Sequence, residues 1–288
     1  MAVFYNQATI SYSGGVASSN IITGEITEVL SAQKNALLPT YSQGEDTVFV
    51  VSIVNSGTAP FTGLTITDDL GSYDFGDPAV SLVPLSYVEN SVKYYVNGVL
   101  QASPAVTATS PLTISGISVP GGGSAVIIYA AAANQFAPLG EDASITNTVT
   151  IGGTERALPI TAQETIYPAD TPVLSITKSL DPVTVPENGE LTYTFVIQNT
   201  GSSPATILDN IVFRDVFDPV ISISSVEFEG SAWTAPVNYT YDQTTGEFVS
   251  AAGQITVPAA GFTQNADTGE WTIQPGTATL TIKGTFAS

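Results

Sequence analysis

Three polar residue types recur twice at places where strand alternation would turn them inward among apolar neighbours. Lys34 shares a face with Leu30 and Ala32, and Lys178 with Leu174 and Ile176. Asp68 aligns with Leu64 and Ile66, and Asp215 with Ile211 and Phe213. Asn147 aligns with Ile145, Val149 and Ile151, and Asn6 with Phe4, Ala8, Ile10 and Tyr12. The chain has four lysines, so two of them at a repeated inward position is a pattern and not scatter. Leaving such groups buried and unpaired costs on the order of several kcal/mol. An apolar site lowers a lysine pKa and raises an aspartate pKa, giving a neutral amine beside a protonated carboxyl. The amine can then attack an Asn side-chain carbonyl while the carboxyl hydrogen-bonds that oxygen and relays protons. Ammonia leaves and an isopeptide bond remains. The competing expectation is an unreacted Lys–Asp ion pair capped by an Asn amide. Asp69 is the poorer carboxylate, because alternation turns it outward.

The elements that must hold these residues are strands. Short alternating runs rich in Val, Ile, Thr, Tyr and Phe are split by Gly, Pro, Asn and Asp throughout, and no useful amphipathic helix is visible. Asn97-Gly98 marks a tight hairpin over Val92–Leu100, and Asp242–Glu247 and Asn265–Glu270 mark longer turns. With 43% hydrophobic residues and 11% charged, the chain of 288 residues has material for a core and predicts two domains or one large all-β domain. Its net charge of −20 and lack of basic runs argue against nucleic acid and anionic lipid as partners. Cysteine and histidine are both absent, which excludes thiol catalysis, His-dependent triads, disulfides and the usual zinc or copper sites. No cofactor or metal is expected. The N-terminus has no basic region and no long apolar run, and no segment is apolar enough to span a membrane, so a mature form or a non-standard export route is expected. Leu38-Pro39-Thr40 resembles part of a sortase signal, but it lies mid-chain with no hydrophobic tail.

An internal repeat organises the chain. Val29-Leu30-Ser31 with Lys34 matches Val173-Leu174-Ser175 with Lys178 at an offset of half the chain length, and the same offset carries Asn55-Ser56-Gly57 onto Asn199-Thr200-Gly201. Thr65–Leu70 matches Val212–Phe217, and Val119-Pro120-Gly121 through Ile127 matches Gln274-Pro275-Gly276 through Ile282. The closing stretch Ile145–Ile151 matches Phe4–Ile10 at the front of the chain, with no counterpart after Phe286. The expected division is therefore a donor hairpin over 1–28, a first β-sandwich over 29–168, and a second over 169–288 that lacks its closing strands. The middle segments 71–118 and 218–273 match poorly and are expected to hold extra strands that decorate the fibre.

Both units resemble the repeat domain of bacterial surface proteins catalogued as domain of unknown function eleven. The residues carrying the resemblance are a first strand ending in Lys, an Asn-x-Gly turn, a strand ending in Asp-x-Leu, and a closing Thr-Asn-x-Ala/Val-Thr strand. Tyr5 replaces Thr before Asn6, and Phe217 replaces Leu in the second unit. The Lys, acidic and Asn order is also similar to the collagen-adhesin-type isopeptide domains of Gram-positive surface proteins and pili. The resemblance implies tandem immunoglobulin-like antiparallel sandwiches. It implies a Lys34–Asn147 bond assisted by Asp68, and a second bond between Lys178 and Asn6 of another copy assisted by Asp215.

An open sheet edge with an apolar groove is an aggregation hazard unless something fills it, and residues 3 to 28 supply a matching hairpin. Strand addition between copies is heterologous and propagates, so the expectation is a homopolymeric extracellular fibre with Phe4, Ala8, Ile10 and Tyr12 at the polymer interface. Whether a cell surface or a spore coat bears it, and any receptor, is left open. Two other classes compete: an adhesin or stalk fragment, and a carbohydrate-binding module using Tyr94, Tyr95, Trp233 and Trp271. No enzyme activity beyond self-cross-linking is expected. Asn20, Asn35 and Asn55 read as turn or edge residues, and Lys93, Lys283, Arg156 and Arg214 as solvated or surface-paired.

Overall fold

The computed structural model describes residues 2–140, 142–153, 158–186 and 189–286. The molecule is all-β, with one short 3₁₀ turn at Ile207–Asp209. The first repeat packs two six-stranded sheets face to face. One sheet runs Val99–Leu100, Lys93–Val96, Ser124–Ala133, Asp46–Asn55 and Leu30–Ala36, with Leu85–Tyr87 also paired to Ser124–Ala133. The other runs Ala105–Thr109, Leu112–Val119, Phe61–Asp68, Ile145–Gly152, Ile160–Pro168 and Thr40–Tyr41. Alternating inward residues such as Phe49, Val51, Ile53, Ile66, Ile114, Ile127 and Val149 form one core between them. Leu30–Ala36, Phe61–Asp68 and Ile145–Gly152 are hereafter the lysine, aspartate and asparagine strands.

The segment 71–118 does not decorate this sandwich. It supplies strands to both sheets, because Val92, Tyr94, Leu112, Ile114 and Ile117 carry apolar side chains that belong to the core. The Asn97-Gly98 turn has positive φ at both positions, 48° and 78°, as a tight hairpin requires.

The second repeat keeps the first sheet and loses half of the second. Leu174–Asp181, Glu190–Asn199, Gly276–Phe286, Ile221–Phe228 and Ser231–Ala232 form a five-stranded sheet. Opposite it, among the described residues, lie Arg214–Val216, Glu247–Ser250 and Tyr239–Tyr241. Aromatic rings fill the space between, with Phe195 edge-on to Phe213 at 4.7 Å and Tyr239 stacked on Phe248 at 4.8 Å.

Register corrects one sequence match. Val119 pairs with Phe61 in the first repeat, and Val257 pairs with Ala205 in the second. Asn55 Nδ2 donates to Ala59 and Pro120 carbonyls, as Asn199 Nδ2 does to Ser203 and Pro258. Val119-Pro120 therefore corresponds to Val257-Pro258, not to Gln274-Pro275. Pairing places Val51 between Lys34 and Ile127, and Phe195 between Lys178 and Leu280. Ile127 thus corresponds to Leu280, and an insertion separates Pro258 from the final strand. The repeated Pro-Gly pair misled the sequence alignment.

That insertion forms a hairpin, Gly261–Gln264 with Trp271–Gln274, and it leans on the first repeat. Trp271 N–H donates to the Gln135 carbonyl at 2.8 Å, and Gln264 Nε2 donates to the Tyr73 hydroxyl at 3.3 Å. At its tip Gly269 has φ of +75°, and a Cβ there would meet Leu82 at 2.3 Å.

The first residues form a separate ribbon. Ala2–Asn6 pairs with Ile22–Ile26, and Thr9–Tyr12 pairs with Gly15–Ser18. Among the described residues these strands pair only with each other, and no residue of theirs joins either core. Phe4 is 49% exposed, Ile10 66% and Tyr12 64%.

Candidate functional site

In the first repeat the lysine and aspartate strands lie in opposite sheets, and their alternation points Lys34 and Asp68 at one another across the core. Lys34 Nζ donates to Asp68 Oδ2 at 2.6 Å, and both side chains are shut from solvent. Asp68 Oδ1 accepts the Leu70 N–H at 2.9 Å. Lys34 Nζ stands 4.9 Å from the Phe49 ring centroid. Burial is the largest influence on this amine and lowers its pKa from 10.5, against the opposing pull of Asp68. Asp69 turns away as alternation requires, accepting N–H groups of Gly71 and Thr148 at 2.8 and 2.9 Å.

Asn147 completes the set. The asparagine strand pairs with the aspartate strand so that Val149 faces Asp68, and Asn147 is the next inward residue. Its side chain is fully buried, and neither its oxygen nor its nitrogen has a hydrogen-bond partner among the described residues. An unsatisfied buried amide, in the same core as a desolvated amine and a carboxyl, is costly as an unreacted state.

Sequence reasoning missed a fourth member. The Tyr129 hydroxyl donates to Asp68 Oδ2, the oxygen that also accepts from Lys34. Its ring stacks on Phe49 with centroids 5.6 Å apart. The available signal was alternation in Ser124–Ala133, whose inward positions are Ala125, Ile127, Tyr129, Ala131 and Ala133, with one polar tip among them. Burial, and then Asp68, raises the Tyr129 pKa. Asn55 is a turn residue as read, and it is also buried: its Oδ1 accepts the Gly57 N–H and its Nδ2 donates to the Ala59 and Pro120 carbonyls.

The second repeat holds the same pair in a different setting. Lys178 Nζ donates to Asp215 Oδ2 at 2.6 Å, but the two side chains are 41% and 18% exposed. They line an open groove of about 440 Å³ with Leu174, Ile176, Phe195 and Phe213. Among the described residues no strand of the second repeat lies where Ile145–Gly152 and Ile160–Pro168 lie in the first. Asn6 is not brought to this pair within the chain: it sits exposed in the N-terminal ribbon, opposite Ile22.

The remaining candidates sort plainly. Tyr94 and Trp233 are buried in different cores, so the four aromatics form no sugar platform. Arg214 pairs with Glu247 at 3.3 Å on the surface, Lys93 is exposed, and Arg156 lies outside the described residues. Among the described residues no cluster could hold a metal, and no helix is long and apolar enough to cross a membrane.

Comparison with known proteins gives remote likenesses only. No family model matches the chain, and no curated protein matches it. Among solved structures, the pilus backbone of Streptococcus pneumoniae is similar at 12% identity and a TM-score of 0.34, over 85% of this chain and 55% of that one. The chain thus spans about half the length of that backbone protein. The major pilin subunit BcpA of Bacillus cereus is similar at 10% identity and a TM-score of 0.37, over 95% of this chain and 73% of that one. The collagen-binding subdomain of the Enterococcus faecalis surface protein ACE is similar at 7% identity and a TM-score of 0.31, over 49% of this chain and 98% of that one. At these scores the likenesses carry no argument, and the functional reading rests on the geometry of the two sites.

Proposed function

We propose that this protein is the structural subunit of an extracellular bacterial fibre, joined head to tail by insertion of its N-terminal hairpin into the second repeat of the next copy. In this reading residues 1–28 are the donor, 29–168 a closed sandwich, and 169–288 an acceptor. The observation that carries it is the pairing of an open groove with an unpartnered ribbon of matching pattern. Every inward residue of the asparagine strand has a counterpart on one face of the ribbon: Ile145 with Phe4, Asn147 with Asn6, Val149 with Ala8, Ile151 with Ile10. Carrying over the first-repeat register sets Ala8 opposite Asp215 and Ile10 opposite Phe213. Asn6 then enters the groove beside Lys178. Each large apolar side chain buried on docking contributes about 1.5–3 kcal/mol, and a heterologous contact of this kind propagates.

Cross-linking follows the same steps at both sites. The amine Nζ attacks Asn Cγ, the new N–C bond forms, and the Cγ–Nδ2 bond breaks. The proton that leaves Nζ passes through the Asp carboxyl to the departing nitrogen, so one ammonia is released and the Asp is regenerated. Lys34 with Asn147 ties the first sandwich to itself. Lys178 with Asn6 of another copy makes the fibre one covalent molecule.

Peptide mass spectrometry on material boiled in denaturant tests this reading. Lys34–Asn147 linkage in every copy, and Lys178–Asn6 linkage confined to a ladder of multimers, is the expected result. Finding the first linkage alone leaves non-covalent assembly. Finding neither, with particles that remain monomeric by negative-stain imaging at high concentration, sinks the fibre in favour of a stalk or adhesin fragment.

A further inference from the structure

Resting on the cross-linking reading above, we propose that Tyr129 is the hydrogen-bond donor to the reacting amide oxygen of the first repeat, poised on Asp68 and transferred to Asn147 as the bond forms. Four observations carry this. The Tyr129 hydroxyl donates to Asp68 Oδ2, the same atom that holds Lys34 Nζ. The Asn147 amide lies close enough to that hydroxyl to oppose the rise in its pKa, yet neither amide atom meets hydrogen-bond geometry with any described group. Tyr129 is 1% exposed, so its hydroxyl is shielded from bulk solvent. Its ring is clamped against Phe49, which leaves rotation about the C–O bond as its main freedom.

The sequence of events follows from acceptor strength. While Asp68 is a carboxylate it is the best acceptor in the site, and the hydroxyl points there. Once Asp68 takes the proton from Nζ, its Oδ2 becomes a weak acceptor. Attack on Cγ simultaneously puts negative charge on Asn147 Oδ1, to which no described group donates in the unreacted site. The hydroxyl turns to that oxygen and stabilises the tetrahedral intermediate, in a dry site where one donor is worth most. When Cγ–Nδ2 breaks and ammonia departs with the relayed proton, Tyr129 still holds its own proton, as its raised pKa favours. Tyr129 touches the reacting group and is consumed in nothing.

The second repeat is an internal comparison. The cross-strand pair Phe49/Tyr129 corresponds by register to Tyr193/Ile282, so an isoleucine stands where the hydroxyl donor would be. The second linkage must therefore proceed without a donor at this place.

The test is Y129F, which removes one oxygen from a ring that otherwise keeps its stacking. Wild-type protein should be fully linked at Lys34–Asn147 when purified. In Y129F the fraction linked, followed by intact mass after the protein is isolated, should rise about 10²–10³-fold more slowly, the usual loss for one such donor. Linkage at Lys178–Asn6 should be unchanged. Thermal unfolding of K34A against K34A/Y129F separates slow chemistry from poor folding, since neither can react. Y129F that is fully linked at isolation overturns the role of Tyr129. Wild type without the linkage overturns the cross-linking reading instead. A high-resolution structure of linked wild type decides independently of any variant: the hydroxyl within hydrogen-bond distance of the new amide oxygen is expected, and a hydroxyl still on Asp68 with another group on that oxygen overturns the proposal.

Discussion

The two lysine–aspartate pairs share a 2.6 Å contact and differ in almost everything else. Around Lys34 the asparagine strand closes the sandwich, both side chains are shut from solvent, and an amide with no partner among the described residues lies in the same core. Around Lys178 the same strand position is open, and the pair lies on the wall of a groove. A local pair of residues is therefore not yet a reactive site. In the proposed cross-linking the covering strand supplies both the electrophile and the dry surroundings, and one repeat carries its own while the other borrows one from the next copy.

The largest expected effect comes from removing what is borrowed. Deleting residues 1–28 should abolish filaments in electron micrographs and leave soluble monomer, whereas N6A should still form filaments that fall apart in boiling denaturant. Filaments from the deleted chain would mean that the groove is filled by something else. Next in size is the contrast between the carboxylates. D68A leaves Lys34 buried without a partner and should cost about 3–5 kcal/mol in denaturant unfolding of a chain also carrying N147A. D215A, at a partly exposed pair, should cost less than about 1 kcal/mol. Equal losses would erase the distinction between closed and open sites.

A pH series sharpens the same contrast. In N147A the Lys34 amine stays free, and its folded pKa lies below the ordinary 10.5. Between those two values the unfolded chain holds a proton that the folded chain has lost, so stability should rise with pH across that window. Burial raises the pKa of Tyr129 and Tyr41 above 10.0, so above that pH the folded chain holds protons the unfolded chain has lost, and these groups should turn the curve down. A stability curve flat from neutral pH to pH 10 would argue that Lys34 is solvated after all. The smallest expected effect concerns the brace between repeats. Replacing residues 259–275 by two glycines should leave both cores folded but broaden the small-angle scattering distribution of distances between them, through loss of the Trp271 and Gln264 contacts. An unchanged distribution would place the rigidity in the linker near Pro168 to Pro172.

Much of this was legible because strand physics is local. Period-two alternation placed Lys34, Asp68 and Asn147 on inward faces, and the Asn97-Gly98 pair marked its turn correctly. Asp69 was correctly turned away by the same rule. The failures were of register. Pro275-Gly276 resembled Pro120-Gly121, and although the Asn265–Glu270 turn was legible, nothing local revealed that its hairpin is an insertion between Pro258 and the last strand. Tyr129 was missed because its role depends on which strands lie opposite in another sheet, and that is set by packing across the core.

By itself the sequence determined the all-β class, the repeat, the inward Lys, Asp and Asn of the first copy, and the absence of histidine and cysteine chemistry. These follow from side-chain type and a two-residue period. Only the tertiary structure decided that one lysine is dry and the other wet, that Tyr129 meets Asp68, and that the insertion braces one repeat on the other. Solvent exclusion and cross-sheet contact depend on how distant strands stack, and no local spacing encodes that.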